Sequence, residues 1–167
     1  ADFYRGSVLM GVPTHYGRLT AAPELTPKAC ERMRLFISGS APLLAEAHQR
    51  FEEKTGQRIL ERYGMTETGM ITSNPYRGGE RVAGTVGYPL PGVEVRICGE
   101  DAKPVAQGEP GVLEVRGPNV FAGYWRMPEK TKEEFRSDGF FVTGDVATAD
   151  PDGRITLVGR AKDLIIA

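Results

Sequence analysis

The sequence is short of the residues and runs that mark metal-binding, disulfide-linked and membrane-spanning proteins. It contains two histidines and two cysteines, Cys30 and Cys98, which stand far apart with no Cys-x-x-Cys pair. This excludes a zinc set and predicts reduced thiols. No apolar run is long enough to cross a bilayer, and the first residues lack the basic-then-apolar order of a signal peptide. We therefore expect a cytoplasmic protein without a membrane span.

The charge balance excludes another class of partner. The 21 basic and 22 acidic residues give a net charge of -1, and no basic run could neutralise successive phosphates of a polymer. Nucleic acid is therefore not an expected partner. The chain starts without Met and ends in an apolar run, 163–167, that has no helix cap. We expect a piece of a longer polypeptide, whose remainder would be its partner.

The first half alternates short apolar runs with helical patterns, which is typical of βαβ units. Strands are predicted at 7–12, 34–38 and 59–61, and the helices are predicted to open at Pro13, at Pro27 (running to about Arg32) and at Pro42. The helix after Pro42 should end at Gly56. The third strand then leads into a loop at 62–69, on the sheet edge where open α/β folds bind ligands.

From about Val82 glycine and proline become frequent and the apolar residues alternate. This texture predicts an antiparallel barrel or small sandwich, interrupted by one helix at 128–135. Pro151-Asp152-Gly153 predicts a hairpin turn. The fold class is thus α/β over 1–81, followed by mostly antiparallel β-structure over 82–158.

The loop 62–69 places an aromatic ring, a hydroxyl and a carboxylate among glycines. Tyr63 can stack on a purine, and Thr66 can reach a phosphate oxygen. Glu67 offers the hard oxygens that Mg²⁺ prefers. The alternative is an ordinary polar junction after a strand, and eight residues fit both interpretations.

Three further clusters carry polar groups. Residues 38–43 join a strand to a helix through small side chains, which suits a planar ligand but equally a simple turn. Asp145, after the strand 140–142, can accept two hydroxyl protons from a ribose, or can be a turn residue beside Gly144. Arg160 and Lys162 would share one side of an extended segment and meet one anion, or belong to a solvated linker.

Six stretches, taken in order, resemble the motifs of adenylate-forming enzymes, the superfamily of acyl-CoA synthetases, luciferases and peptide-synthetase adenylation domains. They are residues 38–43, 61–69, 87–94, 117–125, 138–145 and 159–163. The resemblance implies part of a large N-terminal domain, made of an α/β subdomain and a distorted β-barrel subdomain.

The resemblance also implies roles for single residues. Tyr63 would stack on adenine, Thr66 would contact the α-phosphate and Glu67 would hold Mg²⁺, so Thr66 and Glu67 are the catalytic candidates. Asp145 would bind the ribose with Arg160 beside it. Lys162 would be the hinge, within 159–167, about which a C-terminal domain rotates. The remaining residues of the nucleotide site would be Gly39, Ser40, Ala41, Pro42, Arg62, Gly64 and Met65.

The reaction implied by the resemblance uses ATP, Mg²⁺ and coenzyme A. A small carboxylic acid attacks ATP to give an acyl-adenylate, and the thiol of coenzyme A then takes the acyl group. The family's phosphate-binding loop precedes the matched region and its catalytic lysine follows it, so we expect the 167 residues alone to be inactive.

Residues 8–14 and 72–76, with Tyr16, Arg18 and Leu19, resemble the malonyl-CoA synthetases of the family. This implies malonate or methylmalonate as the acid. Arg18, near the start of its helix, would pair with the free carboxylate, and Ser38 would add a hydroxyl. The alternatives are a solvent-facing Arg18, another acyl- or aryl-CoA synthetase, or a non-catalytic nucleotide-binding module. His48, Tyr124 and Trp125 are interpreted as packing residues.

Overall fold

The computed structural model describes residues 5–163, which divide into two compact units. Residues 5–63 and 73–87 belong to the first unit, and residues 64–72 and 88–163 belong to the second. The domain boundaries at 81/82 and 158/159 stay a prediction. Residues 1–4 of the first predicted domain and residues 164–167 of the predicted hinge segment lie outside the described residues.

Parallel strands connected by helices build the first unit. The elements in chain order are β1 (Val8–Gly11), α1 (Pro13–Ala21), α2 (Pro27–Cys30), β2 (Leu35–Ser38), α3 (Ala45–Thr55) and β3 (Ile59–Met65). Strand β2 pairs with β1 on one side and with the first residues of β3 on the other, so that Ser38 lies opposite Glu61. The predicted βαβ arrangement is confirmed.

Local sequence signals account for most helix ends in this unit. Pro27 opens α2 after Thr26, whose Oγ1 accepts the N–H of Ala29 at 3.2 Å. This helix ends at Cys30, two residues before the predicted end. Helix α3 ends at Gly56, which takes the left-handed conformation (φ 70°) that favours glycine.

The start of α3 differs from the prediction. Pro42 does not open the helix, because the chain bends at Ser40 (φ 67°) and Leu44 is still in extended conformation. The helix begins at Ala45, and the side chain of Leu44 is exposed rather than on the packed face. Leu43 is the residue of this segment that is buried, and it joins the core.

Aromatic side chains form the core of the first unit. Phe51 from α3 packs edge-on against Tyr16 and Phe36, with ring centroids 5.4 and 4.9 Å apart. Such edge-to-face pairs add to the free energy of burying their apolar area. Cys30 and Ile59 complete the cluster. This packing holds α1 and α3 against the strands that carry the candidate site residues.

The second unit contains a four-stranded antiparallel sheet. The elements of the unit are most of β4 (Gly69–Ser73), then β5 (Tyr88–Pro89), β6 (Glu94–Cys98), β7 (Gly111–Arg116), α4 (Pro128–Glu134), β8 (Phe141–Ala149), β9 (Ile155–Arg160) and a 3-10 turn (Ala161–Asp163). The four-stranded sheet has the order β6-β7-β8-β9. The antiparallel β-structure predicted for this half is confirmed, although the strands that the structure describes close no barrel.

A buried carboxylate in this sheet accepts hydrogen bonds from two arginines. Glu114 on β7 has no exposed surface, and its two oxygens accept bonds from Arg96 and Arg136, both at 2.7 Å. A buried charge is tolerated only when it is paired in this way. Arg96 also lies over the ring of Phe140, 3.9 Å from its centroid.

Within residues 5–163, no helix has the length and apolar character needed to span a bilayer.

Candidate active site

The segment predicted as a loop at 62–69 is mostly strand. Strand β3 continues through Met65, and only residues 66–68 form a turn before β4 starts at Gly69. The tight turn from β3 to β4 requires glycine at position 64, because a Cβ on Gly64 would lie 2.1 Å from the carbonyl oxygen of Gly69. Gly69 itself has φ 59°. The residues expected in a loose loop are therefore held by regular backbone.

The turn that carries Thr66 and Glu67 is fixed from two directions. Thr68 is fully buried, and its N–H donates to the carbonyl of Met65 at 3.1 Å. From the segment after β7, the Asn119 amide donates to the carbonyl of Thr68 at 2.7 Å, and the Phe121 N–H donates to that of Glu67 at 2.8 Å. Thr66 is exposed, so its hydroxyl is accessible to a ligand.

Glu67 has a partner that the sequence did not reveal. The phenol of Tyr124 donates to Oε1 of Glu67 at 3.2 Å, across 57 positions of sequence. Burial and the neighbouring Glu67 carboxylate raise the pKa of Tyr124 to about 12, so the phenol keeps its proton near neutral pH. Tyr124 was interpreted as packing only. The packing interpretation of Trp125 is wrong, since 85% of that residue is exposed.

Asp145 lies inside a strand and not after one. Strand β8 runs from Phe141 to Ala149, and Thr143, Gly144 and Asp145 occupy an irregularity where its register against β7 shifts. Gly144 has φ 72°, a value that allows such a bulge. The hydroxyl of Thr143 accepts the N–H of Asp145 at 3.1 Å and donates to the carbonyl of Leu113 at 2.8 Å.

The predicted neighbourhood of Asp145 and Arg160 is present in the structure. The two residues are register partners on β8 and β9, and Arg160 Nε lies 3.0 Å from Asp145 Oδ1. Asp145 is buried and the guanidinium is half exposed. Lys162, however, lies in the 3-10 turn after β9. The turn breaks the extended segment that was expected to place Arg160 and Lys162 on one side.

In the first unit, residues 38–42 follow β2. Ser38 ends the strand and is 1% exposed, and its Oγ makes no hydrogen bond within the described part of the chain. Gly39 N–H donates to the carbonyl of Gly11 at 3.4 Å, which joins the ends of β2 and β1. Ser40, Ala41 and Pro42 are exposed. The segment is therefore an accessible bend with one buried hydroxyl at its base.

The remaining nucleotide-site candidates of this unit lie on β3. Arg62 is partly buried, and Tyr63 is 8% exposed in strand geometry. The carbonyl oxygen of Arg62 would be 3.5 Å from a Cβ on Gly39, which is ordinary contact distance, so Gly39 brings its backbone close to β3 without being forced to be glycine there.

Arg18 is not near the start of α1 but in its last turn, and it is exposed. A cation in that position is stabilised by the negative end of the helix dipole. The start of the helix is taken by His15, whose Nδ1 accepts the N–H of Val12 at 3.3 Å. The structure thus leaves the Arg18 guanidinium accessible to an anion.

His48 is buried, as predicted, but it has a polar partner. Its Nδ1 lies 2.9 Å from Oε1 of Glu61, and both residues are at most 3% exposed. The same oxygen accepts the N–H of Gly84 at 3.2 Å. The sequence signal was present in the helical spacing that put His48 on the buried face, but nothing in it identified Glu61 as the partner.

The residues fit a magnesium ion that is bound together with a nucleotide. Mg²⁺ uses one or two protein carboxylates and completes its shell with water and phosphate oxygens. Glu67 supplies one such carboxylate, partly exposed at an accessible turn. Within residues 5–163 no group of three His, Cys, Asp or Glu side chains is arranged to hold a metal ion on its own.

Comparison with known proteins decides the family. Residues 2–125 match the model of the AMP-binding enzyme family. The chain belongs to this family. The resemblance to adenylate-forming enzymes and the predicted fold class are therefore confirmed.

Three relatives show how this AMP-binding chain compares with others. It is 48% identical to a protein named probable CoA ligase CCL8 from Humulus lupulus, covering 93% of this chain and 27% of that protein. It is 44% identical to a malonate–CoA ligase from Arabidopsis thaliana, covering 92% and 26%. The ATP-bound structure of MatB from Rhodopseudomonas palustris is 58% identical with a TM-score of 0.94, covering 98% and 32%. The chain thus spans about a third or less of each relative.

Proposed function

We propose that this AMP-binding chain is part of an ATP-dependent acid–thiol ligase that activates malonate, or its methyl derivative, for transfer to coenzyme A. The observation that carries the proposal is the 58% identity to ATP-bound MatB over nearly the whole chain, together with the likeness to a malonate–CoA ligase. The assignment of an AMP-forming enzyme agrees with the exposed Thr66 and partly exposed Glu67 of the turn after β3, and with the Asp145–Arg160 pair.

In the first step a carboxylate oxygen of the acid attacks the α-phosphorus of ATP. The bond from that phosphorus to the β-phosphate oxygen breaks, and acyl-AMP and pyrophosphate form. An anion approaches an anion here, so groups that offset charge lower the barrier. The Thr66 hydroxyl would donate to an α-phosphate oxygen. Mg²⁺, held by Glu67 and phosphate oxygens, would supply positive charge.

Several of the sequence-predicted side chains would contact the nucleotide. Tyr63 would offer its ring to adenine, beside the backbone of Gly39, Ser40, Ala41 and Pro42. Asp145 would accept the two ribose hydroxyls, and Arg160 would fix that carboxylate from the neighbouring strand. Arg62, Gly64 and Met65 would form the strand on which the nucleotide lies.

The acid would be recognised by charge. Malonate keeps one carboxylate after the other is adenylated, and Arg18 would pair with it through two parallel hydrogen bonds. Among residues 5–163 the buried Ser38 hydroxyl has no hydrogen-bond partner, so it would gain one from the substrate. In the second step the thiolate of coenzyme A attacks the acyl carbon and AMP leaves. Lys162 would be the hinge for the rotation between the steps.

The proposal is tested by ATP–pyrophosphate exchange with the full-length protein, using malonate, methylmalonate, acetate and a cinnamate. We expect exchange with malonate or methylmalonate to exceed exchange with the two monocarboxylates. Highest exchange with the cinnamate would identify an aryl-CoA synthetase instead. Absence of exchange with all four acids, despite tight ATP binding, would favour a nucleotide-binding module.

A further inference from the structure

Tyr124 is the side chain that is hydrogen-bonded to the carboxylate of Glu67. Its phenol donates to Oε1 of that carboxylate at 3.2 Å. Within the part of the chain that the structure describes, Oε2 of Glu67 receives no hydrogen bond. The contact therefore engages one oxygen from the protein side and leaves the second one available.

The tyrosine is itself rigidly held. Its N–H donates to Oγ1 of Thr131 at 2.9 Å, and that hydroxyl donates to the carbonyl of Met127 at 2.9 Å, within the first turn of α4. The ring packs edge-on against Phe121, with centroids 4.8 Å apart, and Lys130 Nζ lies 4.9 Å from its centroid. Backbone, ring face and hydroxyl are thus each anchored to a different group.

Close packing brings Tyr124 to this place. Gly123 has φ 142°, and a Cβ there would lie 2.6 Å from Cγ2 of Thr131. Only glycine lets the chain pass α4 so closely. The same segment donates from Asn119 and Phe121 to the backbone of the Thr66–Thr68 turn. Residues 119–131 therefore hold both the backbone and the carboxylate of Glu67.

We propose that Tyr124 is a positioning residue that orients Glu67 for a nucleotide-bound divalent cation. The proposal rests on the proposed function, in which Glu67 holds Mg²⁺. A glutamate with three rotatable bonds loses side-chain entropy when it binds a cation. A fixed phenol on one oxygen removes part of that cost beforehand. Outer hydrogen-bond partners of metal ligands act in this way, and their loss weakens metal binding by about 10–100-fold.

The test compares Tyr124→Phe with Tyr88→Phe in the full-length protein. Tyr88 is a matched control, because its phenol donates to the Asp152 carboxylate at 2.7 Å elsewhere in the same unit. Calorimetric titration of ATP at a series of Mg²⁺ concentrations gives the Mg²⁺ dependence of nucleotide binding without catalysis. We expect Tyr124→Phe to raise the half-saturating Mg²⁺ concentration by about tenfold, with turnover at saturating Mg²⁺ close to that of the parent protein. Tyr88→Phe should change neither.

Two reference variants separate the possible failures. If Glu67→Gln shifts the Mg²⁺ dependence and a folded Tyr124→Phe does not, the positioning role is wrong while the proposed function stands. If Glu67→Gln has no effect either, the assignment of Glu67 as a metal ligand fails. Should Tyr124→Phe not fold, Thr131→Val removes the anchor of the Tyr124 N–H and is expected to give a smaller shift in the same direction. An unchanged Mg²⁺ dependence in folded Thr131→Val would then overturn the proposal.

Discussion

His48 on α3 and Glu61 on β3 form a buried pair, with Nδ1 of the ring 2.9 Å from Oε1 of the carboxylate. That oxygen also accepts the N–H of Gly84, and the Glu61 carbonyl accepts the side-chain amide of Asn74. Glu61 is thus a junction between a helix, a strand and the segment 74–84. It lies one position before Arg62 on the strand that carries the nucleotide-site candidates.

We expect Glu61→Ala to destabilise the protein strongly. It leaves the buried His48 ring and the partly buried Gly84 N–H without their acceptor, and each buried donor left unsatisfied costs about 1–3 kcal/mol. Chemical denaturation of the full-length protein measures the change. Glu53→Ala, at an exposed position of α3, is the control and should stay within about 0.5 kcal/mol of the parent. Equal stability of the two variants would show that the pair is dispensable.

Two glycine-to-alanine substitutions should act in opposite directions. Gly64→Ala places a methyl group 2.1 Å from the Gly69 carbonyl oxygen and 2.6 Å from Cε of Met70. Because the first obstacle is backbone, we expect a loss of about 3 kcal/mol or more, with weakened ATP binding. Gly17→Ala lies at an exposed position of α1, and outside the helix backbone and its chain neighbours no described residue comes within 4 Å of the new Cβ. It should gain about 0.5–1 kcal/mol. Thermal denaturation checks both, and a stable Gly64→Ala would contradict the tight β3–turn geometry.

Tyr16 should make the protein less stable at alkaline pH. It is fully buried and its hydroxyl donates to the carbonyl of Ile37 at 2.7 Å, and burial raises its pKa above the ordinary value. The folded form thus retains the phenol proton to higher pH than the unfolded form does. The associated stability is present below about pH 10, where the unfolded phenol titrates, and is lost as pH rises beyond it.

The slope of that loss from one such group approaches about 1.4 kcal/mol per pH unit. Tyr16→Phe removes the group, so the fall in the free energy of unfolding above about pH 10, measured by denaturation at a series of pH values, should become shallower by that amount. Part of the loss of stability at alkaline pH should remain in this variant, because burial and the Glu67 carboxylate also raise the pKa of Tyr124. Parallel pH curves for Tyr16→Phe and the parent protein would contradict the prediction.

The order of elements was predictable because short-range signals set it. Pro13 and Pro128 mark helix starts, Gly56 marks a helix end, and alternating apolar residues mark the antiparallel strands. Each of these signals acts through residues that lie within a few positions of it in the sequence. The family followed from motif order and needed no geometry.

Features that depend on distant contacts were not predictable. Tyr124 and Glu67 are 57 positions apart, and neither residue type favours the other in sequence. The continuation of β3 through Met65 and the bulge at Thr143–Asp145 depend on the pairing of strands. The local pattern of glycine and polar residues in both segments predicted loops instead. Pro42 is a residue that commonly begins a helix, but α3 begins only at Ala45, after the bend at Ser40.

Asp145→Ala should weaken the binding of ATP without changing the binding of the carboxylic acid substrate. In the proposed function its carboxylate accepts the ribose hydroxyls, and a hydrogen bond to a charged group contributes about 1.5–3 kcal/mol. We therefore expect the KM for ATP to rise by roughly ten- to a hundredfold, with the KM for malonate unchanged. Asp101→Ala, an exposed aspartate paired with Lys103, is the control. An unaltered KM for ATP in folded Asp145→Ala would remove Asp145 from the nucleotide site.

Arg18→Met should separate malonate recognition from ATP binding. The guanidinium is exposed in the last turn of α1, and methionine keeps much of the length and apolar character of the side chain while removing the charge. Loss of one charge-assisted pair should lower kcat/KM for malonate by roughly ten- to a hundredfold. The dissociation constant of ATP, measured by calorimetry, should stay close to that of the parent protein.

The control for Arg18 is Arg50→Met, which removes an exposed cation from α3 that pairs only weakly with Glu46, 3.7 Å away. This variant should keep full malonate activity. Because Arg18→Met removes the partner of the second carboxylate, it should also narrow the preference for malonate over acetate. If Arg18→Met turns over malonate as fast as Arg50→Met does, the free carboxylate is held by another group and the assignment of Arg18 is wrong.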